Sequence, residues 1–222
     1  MGLLRDLGLI VADRGYQVLE QARHLLRPTT PERYLGGDRP PVLLLPGIYE
    51  TWQFLLPVAD RLHRLGHPIH VLTGLGYNRG TIPDAAALAE RYLEDRDLRG
   101  VILVAHSKGG IIGKRLMVDD RDGRIARLIA VNSPFGGSSL ARFAPNRALR
   151  VFSPRDPILT ALAANLEANS RITSIYSRLD PLIPEGSRLE GATNVELDLV
   201  GHFRPLGSVR LMAEVENAIA PR

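Results

Sequence analysis

Val101-Ile102-Leu103-Val104-Ala105-His106-Ser107-Lys108-Gly109-Gly110-Ile111-Ile112-Gly113-Lys114-Arg115-Leu116-Met117 decides the fold. An apolar run gives way to a short turn and then to apolar residues at helical spacing, which reads as strand, tight turn and helix with a serine at the apex. A serine in that place has its hydroxyl lifted above a sheet edge, at a helix N-terminus, beside main-chain N–H groups. The strained turn of such a nucleophile elbow needs small residues two positions to either side. Here the pattern is A-x-S-x-G, with Ala105 in place of the first glycine and Gly109 as the second. The plainer alternative is a serine that caps a helix after a buried strand.

A nucleophilic serine needs a base, and the base needs an orienting acid. Of the six histidines, only His202 follows Ser107, in Val200-Gly201-His202-Phe203. The acid candidate is Asp180 in Ser177-Arg178-Leu179-Asp180-Pro181-Leu182-Ile183-Pro184, after the strand-like Ile172-Thr173-Ser174-Ile175-Tyr176. Ser107, Asp180 and His202 each fall just past the C-terminal end of an expected strand, the edge at which open parallel sheets place their sites. Taken singly, Asp180 also fits an ordinary Asp-Pro turn and His202 a loop histidine.

With these segments in place, the chain resembles the α/β-hydrolase superfamily, and within it the small bacterial lipases and esterases. Ala105-His106-Ser107-Lys108-Gly109-Gly110 is similar to the elbow of the minimal Bacillus-type lipases. Leu179 to Pro184 resembles their acid loop and Gly201-His202 their histidine loop. Asn132-Ser133-Pro134-Phe135-Gly136-Gly137-Ser138 is similar to a Thr-Pro-x-x-Gly-Ser stretch of such enzymes. The resemblance runs from about residue 40 to 220.

Composition is compatible with that class. The chain has 222 residues, 45% of them hydrophobic, enough for one domain with a sizeable core. Net charge is +4 and the isoelectric point about 9.7, but the arginines are scattered with few aromatics beside them. That argues against nucleic-acid binding. Cysteine is absent, which excludes a disulfide framework and thiolate metal sites. Asp119-Asp120-Arg121-Asp122-Gly123 lacks the closing glutamate of a calcium loop and reads as a helix-ending turn. His63, His67 and His70 read as a surface turn rather than a zinc site. No metal or cofactor is expected. The first residues carry charges on both sides of a short apolar run, unlike a secretory leader, so the expected location is cytoplasmic.

Residues 1–30 form a separate expectation, an amphipathic helix ahead of a single hydrolase domain at 31–222. Leu3, Leu7, Val11, Val18, Ala22 and Leu25 recur at helical spacing, with Arg5, Asp13, Arg14, Glu20 and Arg23 largely elsewhere. Such a stripe normally covers its own core. The alternatives are peripheral membrane contact through residues 1–27, with arginines at 5, 14, 23 and 27, or a dimer contact.

Strands are expected at Pro41–Leu45, Ile69–Thr73, Val101–Ala105, Leu128–Asn132, Arg171–Tyr176 and Asn194–Val200. Helices are expected at Thr51–Leu65, Pro83–Asp95, Lys108–Asp119, Asp156–Ala168 and Gly207–Ala220. The alternation predicts an α/β fold, a mostly parallel six-stranded sheet with helices on both faces. The resemblance implies the sheet order second-first-third-fourth-fifth-sixth. Residues 135–170 read either as a small lid or one wall of an acyl pocket, or as a connecting segment plus the crossover helix.

The function expected is cleavage of small-molecule or lipid carboxylic esters through an acyl-enzyme on Ser107, with His202 as base and Asp180 as its orienting acid. The N–H of Lys108, directly after the serine, is one oxyanion donor. By resemblance, the second is the N–H of Ile48, in the Leu45-Pro46-Gly47-Ile48-Tyr49 loop. Gly47 there is expected to let the backbone approach the substrate. His106 is expected to pack or hydrogen-bond structurally. Acyl transfer by the same triad and a non-catalytic binding module are the rival readings.

Overall fold

The computed structural model describes residues 2–26, 29–144 and 146–220, without the side chains of 2–5, 24–26 and 147. Six strands, β1 (Val42–Leu45), β2 (Ile69–Val71), β3 (Val101–His106), β4 (Ile125–Val131), β5 (Ile172–Leu179) and β6 (Thr193–Val200), form one sheet in the order β2-β1-β3-β4-β5-β6. Every pairing is parallel. The helices are α1 (Gly2–Leu26), α2 (Leu56–Arg64), α3 (Ile82–Asp95), α4 (Lys108–Asp119), α5 (Arg147–Arg150), α6 (Pro157–Ala164) and α7 (Val209–Ile219).

Successive residues of a strand point to opposite faces, so a strand apolar throughout must be covered on both. Leu43 and Leu45 of β1 join a buried cluster with Ile82, Ala89, Ile111, Leu116 and Leu159, from α3, α4 and α6. Val42 and Leu44 join a second cluster with Val58, Leu62, Leu211 and Val215, from α2 and α7. Each fully buried leucine contributes about 1.5–3 kcal/mol relative to exposure, so the central strands anchor both layers.

Expected and observed elements differ where local chemistry overrides periodicity. The helix expected over Thr51–Leu65 begins instead as a 3-10 turn, Trp52–Leu55, with α2 starting at Pro57's first-turn position. Proline lacks the N–H an interior position must donate. The helix expected over Asp156–Ala168 stops at Ala164, because Asn165 is extended (φ −88°, ψ 99°). Strand β5 runs to Leu179, three residues past the expected end, and so delivers Asp180 directly at the sheet edge. His67 and His70 are buried rather than on a surface turn: His67 Nδ1 lies 2.8 Å from the Pro40 carbonyl and His70 Nδ1 3.2 Å from the Tyr92 hydroxyl.

Helix α1 is present but packs inside out relative to the expected amphipathicity. Leu7, Val11 and Val18 are 50%, 72% and 66% exposed, while Asp13, expected on the solvent side, is fully buried. The side chains of Leu3, Arg5 and Leu25, and all of Arg27, lie outside the described residues. No helix among the described residues is long and apolar enough to cross a membrane.

Candidate active site

Ser107 sits between the last residue of β3 and the first of α4, with φ 52° and ψ −121°. A non-glycine residue held at positive φ costs of order 1–3 kcal/mol and persists only where its surroundings over-determine it. The surroundings here are tight. A Cβ on Gly109 would lie 1.9 Å from the Leu45 carbonyl oxygen, and one on Gly110 would lie 2.1 Å from Ser133 Oγ. The two glycines therefore let α4 press directly onto the ends of β1 and β4. That close approach maintains the sharp turn on which Ser107 is carried.

Asp180 follows β5. Its Oδ1 accepts the N–H groups of Leu182 (2.8 Å) and Ile183 (3.3 Å), fixing the loop, and its Oδ2 accepts from His202 Nδ1 at 2.7 Å. A carboxylate offers only acceptors, so the Nδ1 proton is on the histidine and Nε2 carries the lone pair of the neutral ring. Both residues are buried. His202 and Ser107 line the same cleft of about 280 Å³, together with Ile48. Its walls are Leu140, Ala141, Leu149 and Phe152 from residues 135–170, Leu182 and Ile183 from the Asp180 loop, and Arg14 and Gln17 from α1. A larger cleft of about 490 Å³, lined by Gln21, Gln53, Tyr77 and Arg79, shares Tyr49 with it but does not include Ser107.

Of the five residues singled out in the sequence, the structure therefore gathers Ser107, His202 and Ile48 around one cleft and ties Asp180 to His202. The side chain of Lys108 turns away: its Nζ donates to the carbonyls of Asn78 (2.9 Å) and Gly80 (2.5 Å). Burial pushes this amine down to about 8, although the two carbonyl acceptors favour its charged form.

Sequence reasoning missed an acidic residue beside these. Glu50 is buried, and its carboxylate accepts from His106 Nδ1 (2.8 and 2.9 Å) and from the Gly47 N–H (2.7 Å). His106 Nε2 in turn lies 2.9 Å from the His202 carbonyl oxygen. Both ring nitrogens thus face acceptors, so both donate and the ring is an imidazolium. Burial alone would lower its pKa; the Glu50 carboxylate overrides that and raises it. Gly47 also has a reason that the sequence did not offer. A Cβ there would meet Glu50 Oε1 at 2.7 Å, so the glycine accommodates the carboxylate. Asn132 completes the frame: Nδ2 donates to the His202 carbonyl (2.9 Å) and Oδ1 accepts the Ser177 N–H (2.9 Å). The signal that could have found Glu50 is an acid just past a strand end, with a histidine at the neighbouring elbow needing a partner.

A family model described as the alpha/beta hydrolase family matches residues 42–219. Among solved structures, the mature form of a Bacillus licheniformis lipase is similar over 82% of this chain and 96% of its own, with 15% identity and a TM-score of 0.62. A Paleococcus ferrophilus monoacylglycerol lipase is similar over 84% and 96%, with 15% identity and a TM-score of 0.58. Mouse alpha/beta hydrolase domain-containing protein 10 is similar over 83% and 91%, with 14% identity and a TM-score of 0.59. Identities this low speak to the fold. The family model spans most of the chain, and its agreement with the sheet order and the strained serine turn establishes that this protein belongs to the alpha/beta hydrolase family.

Proposed function

We propose that the protein is a serine esterase or lipase that cleaves carboxylic esters through an acyl-enzyme on Ser107. The observation that carries this reading is the hydrogen bond from His202 Nδ1 to Asp180, in the cleft that also holds the strained Ser107 turn. His202 Nε2 takes the Ser107 proton as Oγ attacks the ester carbonyl, and returns it to the departing alcohol. Water, deprotonated in the same way, then releases the acid. Asp180 holds the ring tautomer and stabilises the imidazolium.

The oxyanion donors in this scheme are the N–H groups of Lys108 and Ile48. Lys108 opens α4, where first-turn N–H groups have no acceptor within the helix. Around Ile48 the neighbouring donors are occupied: Gly47 N–H by Glu50 and Tyr49 N–H by the Tyr77 carbonyl at 2.8 Å. The leucines and Phe152 of the cleft suit an apolar acyl chain. The outward stripe of α1, with exposed Arg14 and Arg23 beside it, supports peripheral contact with an anionic lipid surface.

The test is labelling of the full chain by a fluorophosphonate, followed by turnover of p-nitrophenyl esters of graded chain length. The reading expects stoichiometric labelling at Ser107 and ester turnover. Both should be lost in Ser107→Ala, by at least about a thousandfold for turnover. An unlabelled wild-type chain with no turnover of any ester overturns it.

A further inference from the structure

Asp13 is fully buried, although it comes from the middle of a helix whose Leu7, Val11 and Val18 face out. Its Oδ2 accepts the main-chain N–H of His202 at 3.0 Å, and its Oδ1 accepts those of Phe203 and Arg204 at 2.8 Å each. Three successive donors in the histidine loop, two of them buried and that of Arg204 part-buried, are thus satisfied by one carboxylate 189 residues or more away in sequence. The loop is shaped to receive it. Gly201 has φ +123°, and a Cβ there would lie 2.4 Å from Asp13 Oδ1, so only glycine leaves room for the carboxylate.

From the opposite side, His106 and Asn132 hold the His202 carbonyl, each at 2.9 Å. The backbone of His202 is therefore gripped at its N–H and at its C=O, and its ring is gripped at Nδ1 by Asp180. Phe203 packs edge-on against that ring, with centroids 4.9 Å apart, and Arg14 lies over Phe203 at 5.9 Å. Every contact on the N–H side comes from α1 or from the loop that α1 holds.

We propose that α1 acts as a clamp in cis and that Asp13 is a positioning residue, fixing the histidine loop so that His202 is held for proton transfer with Ser107. The proposal rests on the reading of Ser107 and His202 given above. It assigns α1 a part in turnover that the outward amphipathic stripe does not suggest. Without the carboxylate, three N–H groups, two of them buried, lose their acceptor and the loop relaxes. The ring then spends less time in the geometry set by Asp180. Substrate binding, which draws on the apolar walls of the cleft, is little affected.

The experiment uses the full chain as Asp13→Ala and Asp13→Asn. Asparagine keeps an oxygen for Phe203 and Arg204 but presents an NH₂ group to the His202 N–H, so it isolates that contact. Three quantities are read: kcat and KM on p-nitrophenyl butyrate, the rate of fluorophosphonate labelling, and the His202 ring signals by ¹H–¹⁵N NMR across pH. The expected result is a fall in kcat of about tenfold or more for alanine and less for asparagine, with KM within about twofold. Labelling should slow in parallel, and the His202 Nδ1–H signal should broaden or shift. A variant that melts lower but keeps wild-type kcat and an unchanged His202 ring signal overturns the proposal, leaving Asp13 a purely structural group. If the alanine variant does not fold, the asparagine variant decides by the same criteria. If wild type neither labels nor turns over, the esterase reading fails on its own, and the ring signal still decides whether Asp13 positions His202.

Discussion

The Nε2–H of His106 donates to the main-chain carbonyl of His202 across 2.9 Å, so the residue preceding Ser107 holds the loop 96 residues further on. Because Nδ1 also donates to Glu50, both ring nitrogens carry protons, and Glu50 supplies the counter-charge that this needs.

Glu50→Gln removes the counter-charge from a fully buried imidazolium. Breaking one side of such a pair costs about 3–5 kcal/mol, which urea unfolding will read. The pH dependence has a definite sign. The folded pKa of His106 is raised, so its stabilising contribution is complete below the unfolded value near 6.5 and is lost as pH rises through the higher folded value. In Glu50→Gln that decline with pH should flatten.

Asp180→Asn keeps an oxygen for the Leu182 and Ile183 N–H groups, so the loop should stand. It no longer offers a negative acceptor to His202 Nδ1. On the esterase reading, kcat should drop by about two to four orders of magnitude. Near-wild-type turnover would move the acid role to another carboxylate.

Lys114 lies in α4, 2% exposed, and burial pushes its amine down to about 8 from 10.5. Between those values the unfolded chain holds a proton that the folded chain has released. Unfolding free energy therefore rises with pH across that window. Lys114→Met should be more stable than wild type near neutral pH, with the difference shrinking towards pH 10.5. Thermal melts at stepped pH measure it.

Leu7, Val11 and Val18 supply the exposed apolar stripe of α1. If it meets a lipid surface, changing all three to Ser should abolish sedimentation with vesicles of anionic lipid at low salt while leaving turnover of soluble short-chain esters intact. Full-length protein that ignores such vesicles removes the surface contact.

The sheet and the strained serine turn were legible because both are local: continuous apolar strands, a serine between small residues, two glycines after it. The Asp180 and His202 loops were legible through their order and their place after strands. What was hidden depends on partners far apart in the chain. The burial of Asp13 cannot be read from α1, whose periodicity points the other way, since the reason for it is three N–H groups near residue 203. Glu50 carries no signal of its own, because the partner that explains its burial, His106, lies 56 residues away. The helix ends were misjudged where single residues, Pro57 and Asn165, outweighed the pattern.

Asp13 also sets an order of events during synthesis. It leaves the ribosome 189 residues before His202, the nearest of its three partners in sequence. Until that loop emerges, the carboxylate lacks the three main-chain donors that hold it in the folded protein. A closure of such long span forms late and slowly. On the clamp proposal, competence for turnover would appear only once the His202 loop has emerged and met Asp13, rather than when the central strands first pair. Pulse-labelling of stalled nascent chains with a fluorophosphonate would then mark the moment the first helix meets the last loop.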